Sequence, residues 1–416
     1  MYSNVVITGI GISTSIGRGI EQFTDALQKG VSGITRDDED GLGIAGRIQS
    51  FDYEDRLAGL NLPDAILLRS RKAGRRAPRS AQVSIITALE AWMQAFSGKE
   101  GYPSEEIDVI VAGHNIGQQY QYRMAEKFKE HPEYIPANYA LHFMDTDHVG
   151  ILSETLGIQG EGFTVGGASA SGNVGIFQAY RHIKYGLCKA CVVVGAMADL
   201  SPVELQAFRQ TGALGGKRFA AEPEKACRPF DADREGFIYG QGSACLILES
   251  AKSAQERGID VWGEIAGGAV CLDGNRLSNP SVSGEARAMK KALEEAGSRP
   301  ENVEYVNAHA TSSVIGDEVE VQALKEIFGS HAANVWVNAT KSLTGHCLYA
   351  AGVVEAVATL IQMKNGFLHP NLNLKKTIDD ECRFAGLTSR AEICHLVLTN
   401  AFGFGGINTS IVIKKF

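Results

Sequence analysis

The apolar runs of this chain are short, and polar segments with helical periodicity separate them. Val5 to Thr8, Val109 to Ala112, Ala190 to Gly195 and Ala244 to Leu248 are strand-length runs rich in small and β-branched residues. They lack polar alternation, which marks strands covered on both faces. Val261 to Ala266 reads as a further strand, and Leu396 to Thr399 with Thr409 to Ile413 as a closing hairpin. Ala81 to Phe96 and Gly284 to Ala296 read as helices; in the second, Ala286, Met289, Ala292 and Leu293 form one apolar stripe. Such alternation predicts a layered α/β architecture. No strong internal repeat is visible. The polar stretch Glu249 to Arg257, lying between two strands, marks a join between halves spanning residues 1–252 and 253–416.

Composition narrows the class. At 416 residues the chain is long enough for a large core or two packed halves. Its net charge of −8 argues against a general nucleic-acid binder. No apolar run reaches the length of a membrane span, and no secretory signal opens the chain, so a cytoplasmic protein is expected. Of the eight cysteines, several in apolar surroundings, such as Cys191 and Cys245, then read as small buried hydrophobes. Cys188 and Cys191 have CxxC spacing, but no second pair follows at zinc-site spacing; no metal is expected. Cys347 reads as a wall residue beside His346.

Two rival motifs fail on spacing. Gly9-Ile10-Gly11 begins like a dinucleotide loop, but Thr14 stands where the third glycine belongs. Ser169 follows Gly167, but Ser171 occupies the second glycine position of a hydrolase elbow.

Six stretches, in order, carry a different pattern: Val5-Val6-Ile7-Thr8-Gly9-Ile10-Gly11; Gly167-Ala168-Ser169-Ala170-Ser171-Gly172; Arg228-Pro229-Phe230-Asp231; Asn307-Ala308-His309-Ala310-Thr311-Ser312-Ser313 through Asp317 and Glu320; Lys341-Ser342-Leu343-Thr344-Gly345-His346 with Glu355; and Asn400 to Asn408. Together they resemble the β-ketoacyl synthases. The resemblance implies a thiolase-like fold, two similar α/β halves in a five-layered αβαβα arrangement, and a homodimer.

The resemblance also implies roles. The family's acyl-accepting cysteine is replaced here by Ser169. A thiol of pKa about 8.5 ionises readily, whereas a serine hydroxyl needs a base beside it. Stable self-acylation is therefore the step expected to be lost. His309 and His346 match the two histidines that donate N–H groups to the malonyl thioester oxygen, where decarboxylation places negative charge. Backbone N–H groups of Ser169 and Phe404 match a second oxyanion hole, and the Phe404 ring matches the acyl-pocket gate. Lys341 and Glu355 match a pair that orders the histidines. Thr311 and Ser313 match contacts to the phosphopantetheine arm of an acyl carrier protein, and no cofactor of the enzyme's own is implied. The basic run Arg69, Arg71, Lys72, Arg75, Arg76 and Arg79, free of intervening acids, aligns with the family's docking region for the acidic carrier.

Some positions depart from the family. Gly166-Gly167 stands where hydroxyl residues are common, Ala310 and Tyr349 replace glycines, and Gln241 replaces a common glutamate. Tyr349 is expected to close space for a long chain. Asp145 and Asp147, in a region that approaches the acyl pocket in the family, suit a small or absent acyl group unless they simply face solvent. The remaining histidines, His114, His131, His142, His148, His182, His331, His369 and His395, read as structural or solvated.

A lost nucleophile with both histidines kept resembles the cysteine-to-serine ketosynthases of polyketide β-branching cassettes. These decarboxylate malonyl–carrier protein to acetyl–carrier protein for a hydroxymethylglutaryl (HMG)-synthase-like enzyme. The alternatives are a non-catalytic partner resembling a chain-length factor, or a condensing enzyme that uses Ser169 as a slow nucleophile.

Overall fold

The computed structural model describes residues 3–37, 43–98 and 101–416. Ten strands carry the frame. In the first half they are β1 (Val5–Thr14), β2 (Ile107–Ala112), β3 (Gly162–Val165), β4 (Ala190–Gly195) and β5 (Gly242–Ser250). In the second they are β6 (Gly263–Leu272), β7 (Tyr305–Asn307), β8 (Trp336–Asn338), β9 (Leu396–Gly403) and β10 (Ile407–Lys414). The first set lies in the order β1-β5-β4-β2-β3 and the second in the order β6-β10-β9-β7-β8. Both sets share one pattern of two antiparallel contacts followed by two parallel ones. The repeat that the sequence hides is thus plain in the topology.

The halves join edge to edge. Val5, Val6 and Ile7 of β1 pair with Ile265, Glu264 and Gly263 of β6, which makes one twelve-stranded sheet with the short strands Gly17–Arg18 and Arg383–Phe384. The helices used below are α1 (Asp64–Gly74), α2 (Arg79–Phe96), α3 (Thr146–Leu156), α4 (Ser171–Lys184), α5 (Ala251–Glu256), α6 (Val282–Glu295), α7 (Val314–Phe328) and α8 (Ala351–Asn365). α2 and α3 pack on strands of the first half, α6 packs on β6 and β10 of the second half and on α7, and α4 and α8 pack on each other between the halves. This is the five-layered α/β arrangement of the thiolase-like fold. Residues 351–363 of α8 are all buried, as a helix in the central layer requires.

The contact between the central helices is made by backbone. A Cβ added at Gly172 of α4 would lie 2.7 Å from the Val353 nitrogen, and one at Gly352 of α8 would lie 2.6 Å from the Asn173 nitrogen. Any side chain at either position would force the helices apart.

Three local readings change in detail. The strand read over Val5 to Thr8 runs on through Gly9 and Gly11 to Thr14 as β1. A Cβ there would sit 2.2 Å from the Ala91 carbonyl oxygen and 2.0 Å from that of Thr87, so glycine is needed for α2 to approach the strand. The stretch Glu249 to Arg257, read as the join between the halves, contains the end of β5 and α5, and Glu249 is fully buried against Arg257. Cys188 is more than an apolar filler. It lies with His182 and Asp108, whose ring nitrogen and carboxylate are 2.8 Å apart, and the donor atoms of the three residues fall within 4.8 Å of one another. Asp108 also accepts the Glu161 N–H, so its carboxylate is already occupied by protein donors. No helix among the described residues is long and apolar enough to cross a membrane.

Candidate active site

The site forms where the connections that precede α4, α7 and α8 converge. β3 ends at Val165, and the chain turns through Ala168 at φ 48° before a single 3-10 turn leads into α4. That left-handed turn, uncommon for a residue with a Cβ, presents Ser169 at the head of α4. β7 delivers His309, and α8 follows the turn that carries His346. Ser169, His309, His346, Phe402, Phe404 and Tyr349 line one cavity of about 460 Å³.

The geometry of the hydrogen bonds sets the chemistry. Ser169 Oγ lies 2.8 Å from His346 Nε2. The Leu348 backbone N–H donates to His346 Nδ1 at 3.3 Å. Nδ1 is therefore the acceptor nitrogen, and in the neutral ring the proton resides on Nε2. His346 thus donates to Ser169 and is not poised to take its proton. The His309 ring stands edge-on to the His346 ring at 5.6 Å between centroids. Its loop is fixed by Glu320, whose carboxylate accepts the N–H groups of His309 at 2.9 Å and Ala310 at 2.7 Å. Burial, with the Lys341 ammonium nearby, holds both imidazoles well below their usual pKa; His346 adds to the effect on His309. Both rings are therefore neutral N–H donors at neutral pH.

Lys341 and Glu355 form an ion pair that is buried on both sides. Burial raises the Glu355 carboxyl to about 7 while Lys341 opposes the shift. Thr311 and Ser313 both line the cavity. Ser313 also caps α7, its Oγ accepting the Gly316 N–H at 3.0 Å. The Phe404 N–H donates to no acceptor among the described residues, and its ring is exposed at 44%, 6.3 Å from that of Phe208. His309, His346, Ser169, Phe404, Thr311 and Ser313 thus surround one space, and the buried Lys341–Glu355 pair does not line it.

Other expectations change. Cys347 does not line the cavity; it is buried in the core. His114 is no bystander, since it lines the cavity with its ring 4.6 Å from that of Tyr349. Tyr349 lines the cavity as well, and burial pushes its phenol up to about 12. Asp145 and Asp147 do not border the cavity. Asp145 accepts the N–H groups of Asn115 and Ile116, and Asp147 pairs with His142 at 2.6 Å. The basic run lies on and just after α1, outside the cavity. Arg71 pairs with Glu54 and Lys72 with Glu154, while Arg75 and Arg76 are exposed and have no ion-pair partner among the described residues.

Glu285 is a cavity residue that the sequence did not reveal. It is 1% exposed, and its Oε2 has no hydrogen-bond partner among the described residues. Burial, then Glu320, Asp273 and Asp317, push its carboxyl well above the usual range, so it is held neutral. A carboxyl raised by folding favours the native state at low pH, and that contribution is lost as pH rises toward its folded pKa. Glu285→Gln should therefore gain thermal stability relative to the parent as pH rises from about 5 to 8. Thermal melts at several pH values would show this, and a constant difference would refute the assignment.

Comparison with known proteins places this geometry. The β-ketoacyl synthase N-terminal domain family matches residues 2–254, and the β-ketoacyl synthase C-terminal domain family matches residues 262–375. The chain is 39% identical over 416 residues to the polyketide biosynthesis malonyl-ACP decarboxylase PksF of Bacillus subtilis, covering 99% of this chain and 96% of that protein. It is 33% identical over 426 residues to 3-oxoacyl-[acyl-carrier-protein] synthase 2 of Synechocystis, covering 99% and 98%. The crystal structure of a β-ketoacyl synthase from Burkholderia phymatum superposes with a TM-score of 0.87 at 30% identity, covering both chains completely.

Proposed function

Since the chain belongs to the β-ketoacyl synthase family and is an enzyme, we propose that it decarboxylates malonyl–acyl carrier protein to acetyl–acyl carrier protein without condensing it. The observation that carries this reading is the direction of the Ser169–His346 hydrogen bond. With Nδ1 occupied by the Leu348 N–H, His346 offers Ser169 a proton and no base. An unactivated hydroxyl does not hold an acyl group the way a thiolate does. The donors for enolate formation remain.

In this reading the phosphopantetheine arm enters past Phe404, with Thr311 and Ser313 beside it. The thioester oxygen takes N–H groups from His309 and His346. The malonyl carboxylate, among the rings of Phe237, Phe402 and Phe404, loses hydration that its departure as neutral carbon dioxide no longer needs. As the carbon–carbon bond breaks, charge moves to the thioester oxygen, where each preorganised donor contributes about 2.7–4 kcal/mol. Tyr349 and His114 take up room that an acyl chain would use. The acetyl–carrier product then serves an HMG-synthase-like enzyme in polyketide β-branching. The match to a malonyl-ACP decarboxylase supports this reading, while the match to condensing synthases keeps the direct test necessary.

That test is intact-mass analysis of malonyl-loaded carrier incubated with this protein alone. Acetyl–carrier with no acyl mass on the enzyme is the expected result. Unchanged malonyl–carrier would overturn the reading in favour of a non-catalytic partner, and an acyl adduct on Ser169 would favour the condensing enzyme.

For docking we propose the basic α1 segment, centred on Arg75 and Arg76, which are exposed and without an ion-pair partner among the described residues. Replacing both by Glu should raise KM for the carrier about tenfold at low salt, with the difference fading as salt screens it. Equal KM values at low salt would remove the segment from docking.

A further inference from the structure

Loss of carbon dioxide leaves an enolate that needs a proton on carbon. In a condensing enzyme that carbon is consumed by an acyl group; a decarboxylase must instead protonate it before it recaptures carbon dioxide. Among the described residues, Ser169 is the hydroxyl that hydrogen-bonds either of the two rings. Its oxygen accepts from His346 Nε2–H, so its own hydrogen is directed elsewhere, and Ser169 lines the cavity that holds both rings. An enolate oxygen bound by the same N–H is a close neighbour of Ser169 Oγ, and the carbon to be protonated is two bonds from that oxygen.

We propose that the Ser169 hydroxyl is the acid that protonates the enolate carbon. The inference rests on the decarboxylase reading above. When the thioester oxygen gains charge it takes the Nε2–H, and Ser169 is released from its resting bond. The carbon–carbon electron pair, delivered to the enolate by departing carbon dioxide, forms the new C–H bond. The Oγ–H bond breaks, and its electron pair stays on oxygen. The resulting alkoxide accepts a hydrogen bond from Nε2–H as the enolate oxygen returns to a neutral carbonyl, and a water from the open cavity restores the proton. The net reaction consumes one solvent proton, with no redox change.

The substitution of serine for cysteine then has two consequences. A hydroxyl keeps a transferable proton at the nucleophile position, and it gives up the stable thiolate that would capture an acyl group. Of the other hydroxyls lining the cavity, Tyr349 lies with its ring against His114 and Ser313 Oγ accepts the Gly316 N–H, and neither these nor Thr211, Ser278 and Thr311 hydrogen-bond a catalytic ring among the described residues.

The experiment is turnover of malonyl–carrier in buffer charged with ¹³C-bicarbonate, followed by intact mass of both carrier species. The parent enzyme should form acetyl–carrier while its remaining malonyl–carrier acquires no heavy carbon, because protonation outruns recapture. Ser169→Ala should slow acetyl formation by about 10²-fold, the lower range for general-acid catalysis, and should admit heavy carbon into the malonyl group as the enolate waits. Ser169→Thr, which keeps a transferable hydroxyl proton, should suppress that exchange again. An alanine variant that forms acetyl–carrier at the parental rate without exchange would overturn the proposal. So would heavy carbon returning to malonyl in the parent, an outcome that needs no variant to fold. Failure of the underlying reading looks different, for then the parent makes no acetyl–carrier at all.

Discussion

Replacing His346 by alanine should lower the single-turnover rate of carbon dioxide release by about 10²–10³-fold. The ring supplies a neutral N–H donor whose orientation is set before substrate arrives, by the Leu348 N–H on its other nitrogen. Water admitted in its place must reorganise during the reaction, which is the cost that preorganisation removes. In the proposed reading His309→Ala should produce a loss of similar size, because its ring stands edge-on to that of His346 in the same cavity and its loop is tied to Glu320. The two losses should combine to less than their product, since both donors act on one charge. Binding of the carrier should change little, which separates this effect from misfolding. Full activity in either single variant would defeat the proposed chemistry. His346→Gln, which retains an N–H donor without the ring, should recover part of the rate.

Lys341→Met should cost about 3–5 kcal/mol of folding stability. The ammonium is 1% exposed and faces Glu355, which is equally buried and has one carboxylate oxygen with no partner among the described residues. Removing the cation leaves that carboxyl in an apolar interior, either as an uncompensated charge or as a protonated acid with unmet hydrogen bonds. Urea unfolding of the parent, of Lys341→Met and of Lys341→Met combined with Glu355→Leu would measure this. The double variant should regain much of the loss, because an apolar pair of similar volume avoids the isolated charge. If the single variant matches the parent, the pair is not a structural element of the site. The catalytic signature is separate: Lys341 helps to keep both imidazoles neutral, so without it their pKa values should rise and activity should fall at mildly acidic pH.

Much of the site was legible in the sequence because its residues sit in motifs whose local order matches their spatial order. Ser169, His309 and His346 each stand at the head of a turn or loop that leads to a helix, and such turns carry glycine and small-residue signatures. The strands of β4 and β5 were legible because they are buried on both faces and read as unbroken apolar runs. What the sequence hid depends on distance in the chain. The shared strand order of the halves survives through backbone pairing, with different side chains in each, so no sequence repeat betrays it. Gly9 and Gly11 interrupt the apolar run after Thr8, and only the approach of α2 shows why the strand continues through them. His114 and Tyr349 meet from positions far apart. Glu285 was hidden for a different reason. An acid in the first turn of an amphipathic helix is an ordinary surface feature, favourable to the helix dipole, and only the packing of α6 against α7 removes it from water.

The glycine contact between the two central helices has a consequence for how such a pocket can change. Because α4 and α8 meet at Gly172 and Gly352, where an added Cβ would lie 2.7 Å from the Val353 nitrogen and 2.6 Å from the Asn173 nitrogen, the spacing of the two helix heads beside Ser169 and His346 is set by backbone approach. No larger residue fits at either glycine to widen that spacing. The jaws of this caliper are locked, and substrate range must instead be tuned on the adjustable walls, at Tyr349 and Phe404. A chain of this kind can therefore drift in what it admits while the spacing of its reacting groups stays constant.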